Sequence, residues 1–403
     1  MMIIHTADWH IGQHFFDYDR IEEHTMFFEW LKKTIKERQV DVLLVAGDVF
    51  DSPNPSAESQ RAYYHFLREV TTENPELQIV IIAGNHDSAA RLEAPNPLLE
   101  KMNITVRGVV KRNTSGEIDF NYLLAPLKKD GETYAWCMPV PYLRQGDYPD
   151  AENYSKGVAL MYDALYNELE KIKKPAQAVI VMGHLQATGS EISENDRSER
   201  TIIGGLESVS PEAFDKKDLV YTALGHLHKA QRVSGRENVR YAGSPLPMSF
   251  AEKNYKQGVN LIELENNELK RLERIEFEPP VSLLSLPEEP KPLTEILAEI
   301  ANLPDGEINS KSPFLELKIL ITEPEPSMRH QIENALRGKA VRLARLASFT
   351  PKSERAAKTI TYEELKTIDP LEMAEDVFKN KYGSDMPENM KQLLQNVIKE
   401  VEL

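Results

Sequence analysis

Val42-Leu43-Leu44-Val45-Ala46-Gly47-Asp48-Val49-Phe50-Asp51 is the stretch on which the fold turns. Five apolar residues in a row read as a strand, and the glycine after them lets the backbone turn sharply away. Two carboxylates, Asp48 and Asp51, follow at once. Runs of the same kind lie at Met2–His5, Ile79–Ala83, Ala178–Met182 and Leu219–Leu224. Between the first two, Phe27, Phe28, Leu31 and Ile35 recur at helical spacing. A second amphipathic stretch, Tyr63 to Val70, precedes Ile79. Strands alternating with helices imply an α/β layer structure. The chain turns polar and rich in Gly, Ser and Asn around Asp147–Lys156 and Gln186–Gly205, which reads as long surface loops.

Each strand-like run ends on a short polar motif. They are Asp8-x-His10, Gly47-Asp48-x-x-Asp51, Gly84-Asn85-His86-Asp87, Gly183-His184 and Gly225-His226-x-His228. Open α/β sheets bind ligands at the carboxyl ends of their strands. Five distant segments thus deliver Asp, Asn and His side chains to one edge of one sheet. Any one motif is common by chance; five in order, all at strand ends, make a site.

Carboxylate oxygen and imidazole nitrogen together suit borderline divalent ions such as Mn²⁺, Fe²⁺ or Zn²⁺, whereas an all-oxygen set favours Mg²⁺ or Ca²⁺. Two ions about 3.5–4 Å apart need a shared ligand and acidify the water between them into a nucleophile. Asp48 is the expected bridge, because a carboxylate reaches two ions at once. Asp8, His10 and His228 complete one centre with Asp48; Asn85, His184 and His226 complete the other. His86, next to the ligand Asn85, is expected to donate a proton to the departing alkoxide or to stabilise phosphorane charge. Asp51 or Asp87 would hold its second nitrogen, unless they only cap turns. His5, His14, His24, His65 and His330 fit no ligand motif.

The bulk properties set the frame. With 403 residues and 41% apolar composition, the chain can bury a core in two or three domains. The single cysteine, Cys137, excludes an internal disulfide framework and fits a reducing cytosol. The N-terminus meets polar residues almost at once and is expected to carry no signal peptide, and no apolar run approaches the about 20 residues a membrane helix needs. The expectation is a cytoplasmic protein without a membrane association. A net charge of −16 argues against nucleic-acid binding as a default, although metal ions would neutralise some carboxylates. The charge is also uneven, with eight Lys or Arg against two Glu between Arg329 and Lys358.

Five prolines between Pro279 and Pro292 mark a domain boundary. Beyond it Leu293, Ile296, Leu297 and Ile300 form a helical stripe, and Leu315, Leu317, Ile319 and Ile321 alternate as in a strand. Met328, Ile332 and Leu336 mark another helix, and Val341–Ala347 another strand. The last fifty residues read as helical. Asp369-Pro370 supplies a cap and first turn, Leu371, Ala374 and Phe378 share a face, and Met390, Leu394, Val397 and Val401 share another.

The five motifs, matched in full and in order, resemble the calcineurin-like metallophosphoesterase superfamily. The stretches Gly183–Glu191, Gly204–Val209, Ala223–Gln231 and Tyr241–Phe250 narrow the resemblance to the bacterial SbcD exonuclease-subunit family. That resemblance implies an α/β fold built as a β-sandwich flanked by helices, with a small α/β capping domain and a helical C-terminal tail. It implies a nuclease domain over residues 1–278, the capping domain over 281–348, and a segment over 349–403 that grips an SbcC-type coiled-coil ATPase. It further implies Mn²⁺-dependent phosphodiester hydrolysis on DNA, 3′→5′ on duplex ends and endonucleolytic on single strands or hairpins, in DNA repair and recombination, and a homodimer. Some archaeal relatives carry histidine where Asp51 stands. ATP use falls to the partner, since the chain has no Gly-x-x-x-x-Gly-Lys-[Ser/Thr] loop. Two rivals are a phosphatase or cyclic-nucleotide phosphodiesterase on the same fold, and a scaffold with a degenerate site. The extra module and tail speak against the first, the intact ligand set against the second.

Overall fold

The structure, a computed structural model, describes residues 1–175, 177–191, 208–321, 325–350, 371, 373–375, 378 and 386–401. The chain divides into two compact units, Met1–Phe349 and Thr350–Leu403.

In the first unit two six-stranded sheets pack face to face. One runs in the order β14 (Glu268–Glu276), β13 (Gly258–Glu265), β1 (Met2–Thr6), β4 (Val42–Ala46), β5 (Gln78–Ile82) and β6 (Ile104–Arg107). The other runs β11 (Gln231–Val233), β12 (Arg236–Tyr241), β10 (Leu219–Gly225), β9 (Ala178–His184), β8 (Glu132–Pro139) and β7 (Ala125–Lys129). Strands β1, β4, β5 and β6 are parallel, as are β8, β9, β10 and β12. All five residues of β4 are buried, as a central parallel strand covered on both faces requires. Its side chains alternate between two cores. Val42 and Leu44 join Ile3, Ile82, Cys137, Ile180 and Met182 between the sheets. Leu43 and Val45 face outward onto α1 (Ile21–Glu37) and α2 (Ala57–Glu73), against Phe27, Leu31, Phe66 and Val70. Each such fully buried side chain contributes about 1.5–3 kcal/mol.

Helix α2 starts where Ser56 accepts the Ser59 N–H at 3.0 Å. Two short helices, α3 (Ala89–Glu93) and α4 (Asn96–Leu99), follow β5. On the far side α5 (Tyr154–Glu170) lays Val158, Met161 and Leu165 over Val179 and Val181. Asn153 caps it by accepting the Lys156 N–H at 2.9 Å, so the polar stretch expected to remain a loop to Lys156 turns helical at Tyr154.

A three-stranded parallel sheet, β15 (Leu283–Lys291), β16 (Phe314–Leu320) and β17 (Arg342–Phe349), stands apart from the sandwich sheets. Leu315, Leu317 and Ile319 alternate as expected and pack on α6 (Leu293–Ala301) and α7 (Met328–Ala335) through Ile296, Ile300 and Ile332. The proline-rich stretch carries β15, an edge strand, where a missing N–H is tolerated. Phe314 turns the other way. It stacks on Phe15, in the hairpin of β2 (His14–Phe15) and β3 (Tyr18–Asp19), with centroids 4.8 Å apart. Phe250 closes the same cluster, 5.2 Å from Phe15.

In the second unit, the helix Glu388–Val401 is described, and Lys391 pairs with Glu375 at 2.7 Å. Asp369-Pro370, residues 350–358 beyond Thr350 of the basic stretch, the loop 192–207, and the side chains of Val397 and Val401 lie outside the described residues. Among the described residues no helix is long and apolar enough to cross a membrane.

Candidate metal centre

The polar motifs converge at the carboxyl ends of β1, β4, β5, β9 and β10. These ends belong to two sheets, not one: Asp8, His10, Asp48, Asn85 and His86 follow strands of the first, His184, His226 and His228 strands of the second. The parallel halves face each other with their carboxyl ends together, so the site sits across the top of the sandwich. Asp8, His10 and Asp48 turn into it with left-handed backbone, φ of 52°, 46° and 47°. Gly47 and Gly84 are needed for close approach. A Cβ on Gly47 would collide with the His184 ring, and one on Gly84 with the Asp48 carboxylate.

Ligand atoms of Asp8, His10 and His228 lie within 4.8 Å of one another, as do those of Asp8, Asp48 and His184. The Asp48 carboxylate is central: Oδ2 is 3.2 Å from His184 Nε2 and 3.7 Å from His10 Nε2, while Oδ1 accepts the His86 N–H at 2.8 Å. Asn85 Oδ1 lies 3.0 Å from both His184 Nε2 and His226 Nδ1. His184 donates its Nδ1–H to the Ala46 carbonyl at 2.9 Å, which leaves Nε2 to the site. Asp8 Oδ1 accepts the His226 N–H at 2.9 Å. Its Oδ2, and His10 Nε2, are buried and make no hydrogen bond. A buried acceptor without a donor is costly unless something cationic meets it. The donor set of carboxylate oxygens, an amide oxygen and imidazoles therefore fits divalent ions.

Of the two residues expected to hold His86, Asp51 does so through its main chain: His86 donates Nδ1–H to the Asp51 carbonyl oxygen at 2.9 Å, not to a carboxylate. The Asp51 carboxylate instead lies 3.3 Å from His10 Nδ1. Asp87 is occupied by backbone, accepting the N–H groups of Gly84, Val49 and Phe50, so it holds the turns, the alternative role open to it. His86 also belongs to a cluster with His10 and Asp48 whose ligand atoms lie within 4.8 Å. Glu252 carries no signal in the sequence. Fully buried, it approaches His228 Nδ1 at 3.0 Å from 24 residues further along the chain, a separation no spacing rule covers.

Burial pushes the Asp8 carboxyl up to about 7, the neighbouring His184 and His228 offsetting only part of the rise. Burial works against charge on His184, yet the Asp48 and Asp8 carboxylates raise it to about 9. Burial and the charge on His184 bring His226 down to about 3, leaving it neutral and fit to ligate. An ion entering this centre must displace the protons of the raised groups. Apparent Mn²⁺ affinity is thus expected to fall about tenfold per pH unit below pH 9, and more steeply below pH 7 as Asp8 also protonates. Calorimetric titrations at pH 6, 7 and 8 check this; a flat affinity would exclude these groups as ligands.

Known proteins resemble this chain. Residues 1–230 match the calcineurin-like phosphoesterase family. Residues 279–382 match a second family, described as the type 5 capsule protein repressor C-terminal domain. The SbcD subunit of the nuclease SbcCD from Rhodobacter capsulatus is 38% identical over 371 residues, 89% of either chain. This chain belongs to the SbcD family of calcineurin-like phosphoesterases. Its Escherichia coli K12 relative, likewise the SbcD subunit of the nuclease SbcCD, is 30% identical over 98% of this chain and 96% of that one. The Bacillus subtilis protein of the same name is 28% identical over 66% and 67%. GAP50, described as the anchor in the inner membrane complex of Plasmodium, overlaps the structure with a TM-score of 0.37 at 11% identity, covering 69% of this chain and 89% of that one. Like its SbcD relatives the chain is an enzyme, a metal-dependent phosphoesterase.

Proposed function

We propose that this SbcD-family chain is the nuclease subunit of a DNA-repair and recombination complex, hydrolysing phosphodiester bonds with two divalent ions, Mn²⁺ by preference. The observation that carries the reading is the packing of Asp8, His10, Asp48, His184 and His228 ligand atoms into overlapping clusters within 4.8 Å, with Asp8 Oδ2 and His10 Nε2 lacking donors. Asp8, His10 and His228 would hold one ion and Asn85, His184 and His226 the other, with Asp48 shared. Bound there, the ions supply Lewis-acid polarisation of the phosphoryl group and a water acidic enough to attack it. The chain's own residues do the rest. His86, oriented by the Asp51 carbonyl, presents Nε2 to the leaving oxygen and delivers its proton. Asp51 also steadies the His10 ring through its carboxylate.

The substrate classes are duplex ends, cut 3′→5′, and single strands or hairpins, cut internally. Incubation of the purified chain with Mn²⁺, a linear duplex, a hairpin and a chromogenic phosphate ester tests this. DNA cleavage with little ester turnover is expected; the reverse would favour a phosphatase. The proposed partners are an SbcC-type coiled-coil ATPase and a second copy of the chain, in the cytoplasm. Residues 1–278 would form the nuclease domain, 281–348 the capping domain, and 349–403 the segment that grips the ATPase.

Met1–Phe349 forms a compact unit with its own cores. Deleting residues 349–403 is therefore expected to abolish copurification with the ATPase and ATP-dependent DNA processing. Folding, Mn²⁺ binding and slow cleavage of single-stranded DNA by residues 1–348 are expected to survive. Copurification at full stoichiometry, or a truncated chain that does not fold, would contradict the assignment.

A further inference from the structure

Glu252 has no exposed surface and ends the short turn Phe250–Glu252. Taking a carboxylate out of water is costly unless partners compensate. Two are in place. Oε2 accepts the Met248 N–H at 2.7 Å, and Oε1 lies 3.0 Å from His228 Nδ1. The first contact closes a turn and needs only an acceptor of any charge. The second reaches out of the turn to a different segment, onto a ring that borders Asp8 and His10. The turn is held firmly: Phe250 sits in the aromatic cluster with Phe15 and Phe314, and Arg20 donates to the Pro247 carbonyl at 2.6 Å. A rigid mount with a buried carboxylate aimed at one nitrogen of a candidate ligand does what a structural acceptor need not do. It fixes the tautomer, since a carboxylate accepts and His228 must then carry its proton on Nδ1. Nε2 is thereby the nitrogen that serves the ion.

We propose that Glu252 is the positioning residue for His228, holding its Nδ1–H so that Nε2 ligates a divalent ion. This rests on the metal-centre reading above. Substituting glutamine sharpens the distinction. In Glu252→Gln the amide oxygen can still accept the Met248 N–H, but the NH₂ then faces His228 Nδ1 and favours the opposite tautomer. Calorimetric Mn²⁺ titration of the full chain should show one ion bound about 10–100-fold more weakly, the other within a few-fold of wild type. The metal-free melting temperature should be little changed. Wild-type affinity at both sites in Glu252→Gln overturns the proposal, as does a loss of affinity matched by equal destabilisation of the metal-free protein. If the variant does not fold, the wild type decides. In its ¹⁵N-histidine spectrum, the ring signals that vanish in His228→Asn should report the proton on Nδ1; a proton on Nε2 overturns the proposal. A wild type that binds no Mn²⁺ overturns the metal centre itself, whereas a wild type that binds two ions, with Glu252→Gln unaltered, overturns the role of Glu252 alone.

Discussion

Replacing Asp48 with asparagine is expected to strip most bound metal from the protein and to lower nuclease activity by on the order of 10³-fold or more, above what one electrostatic contact supplies. The geometry gives the reason. Asp48 stands between His10 and His184, with Oδ2 at 3.7 and 3.2 Å from their Nε2 atoms. The histidines around it hold its carboxyl well below the usual range in spite of complete burial, so it keeps its charge at any working pH. Asparagine preserves an acceptor for the His86 N–H but removes that charge from both centres at once. Metal analysis beside a nuclease assay checks the expectation. Two ions still bound, with activity within a few-fold of wild type, would show that Asp48 is no bridge.

His86→Ala should behave differently. Turnover is expected to drop about 10²–10⁴-fold, the range of general acid–base catalysis, with metal content nearly intact. KM for DNA should hardly move, since the interaction is made in the transition state. The competing outcome has a structural basis, because His86 lies in a possible ligand cluster with His10 and Asp48. Metal and rate lost in equal measure would make His86 a ligand and leave the leaving group without this acid.

The two predictions rest on residues that stand at strand ends, and strand ends are what a sequence displays best. Val42–Ala46 has the same bounds in sequence and structure, because a strand buried on both faces has no polar residue to blur it. The second sheet is harder to see. Its antiparallel edge, β7 with β8, mixes Pro126, Lys128 and Lys129 into the pattern, since edge residues face solvent. The gathering of ligands from two sheets is hidden as well, for no local pattern says which strands share a sheet. Roles that depend on a main-chain atom or on distant packing are also out of reach. The motifs offer Asp51 or Asp87 as the residue that holds His86 but do not show that the Asp51 carbonyl serves, and Glu252 belongs to no motif at all.

The left-handed backbone at Asp8, His10, Asp48 and His226 has a consequence for anyone redesigning this protein. Non-glycine residues in that region cost of order 1 kcal/mol or more each, and four of them stand at this one site. A search for thermostability would flag these four positions among others and offer glycine or asparagine as gains. Each such gain would remove a side chain proposed to hold an ion. The metal centre thus carries backbone strain by construction, and hardening this enzyme has to begin elsewhere, in the helices and loops away from the sandwich rim.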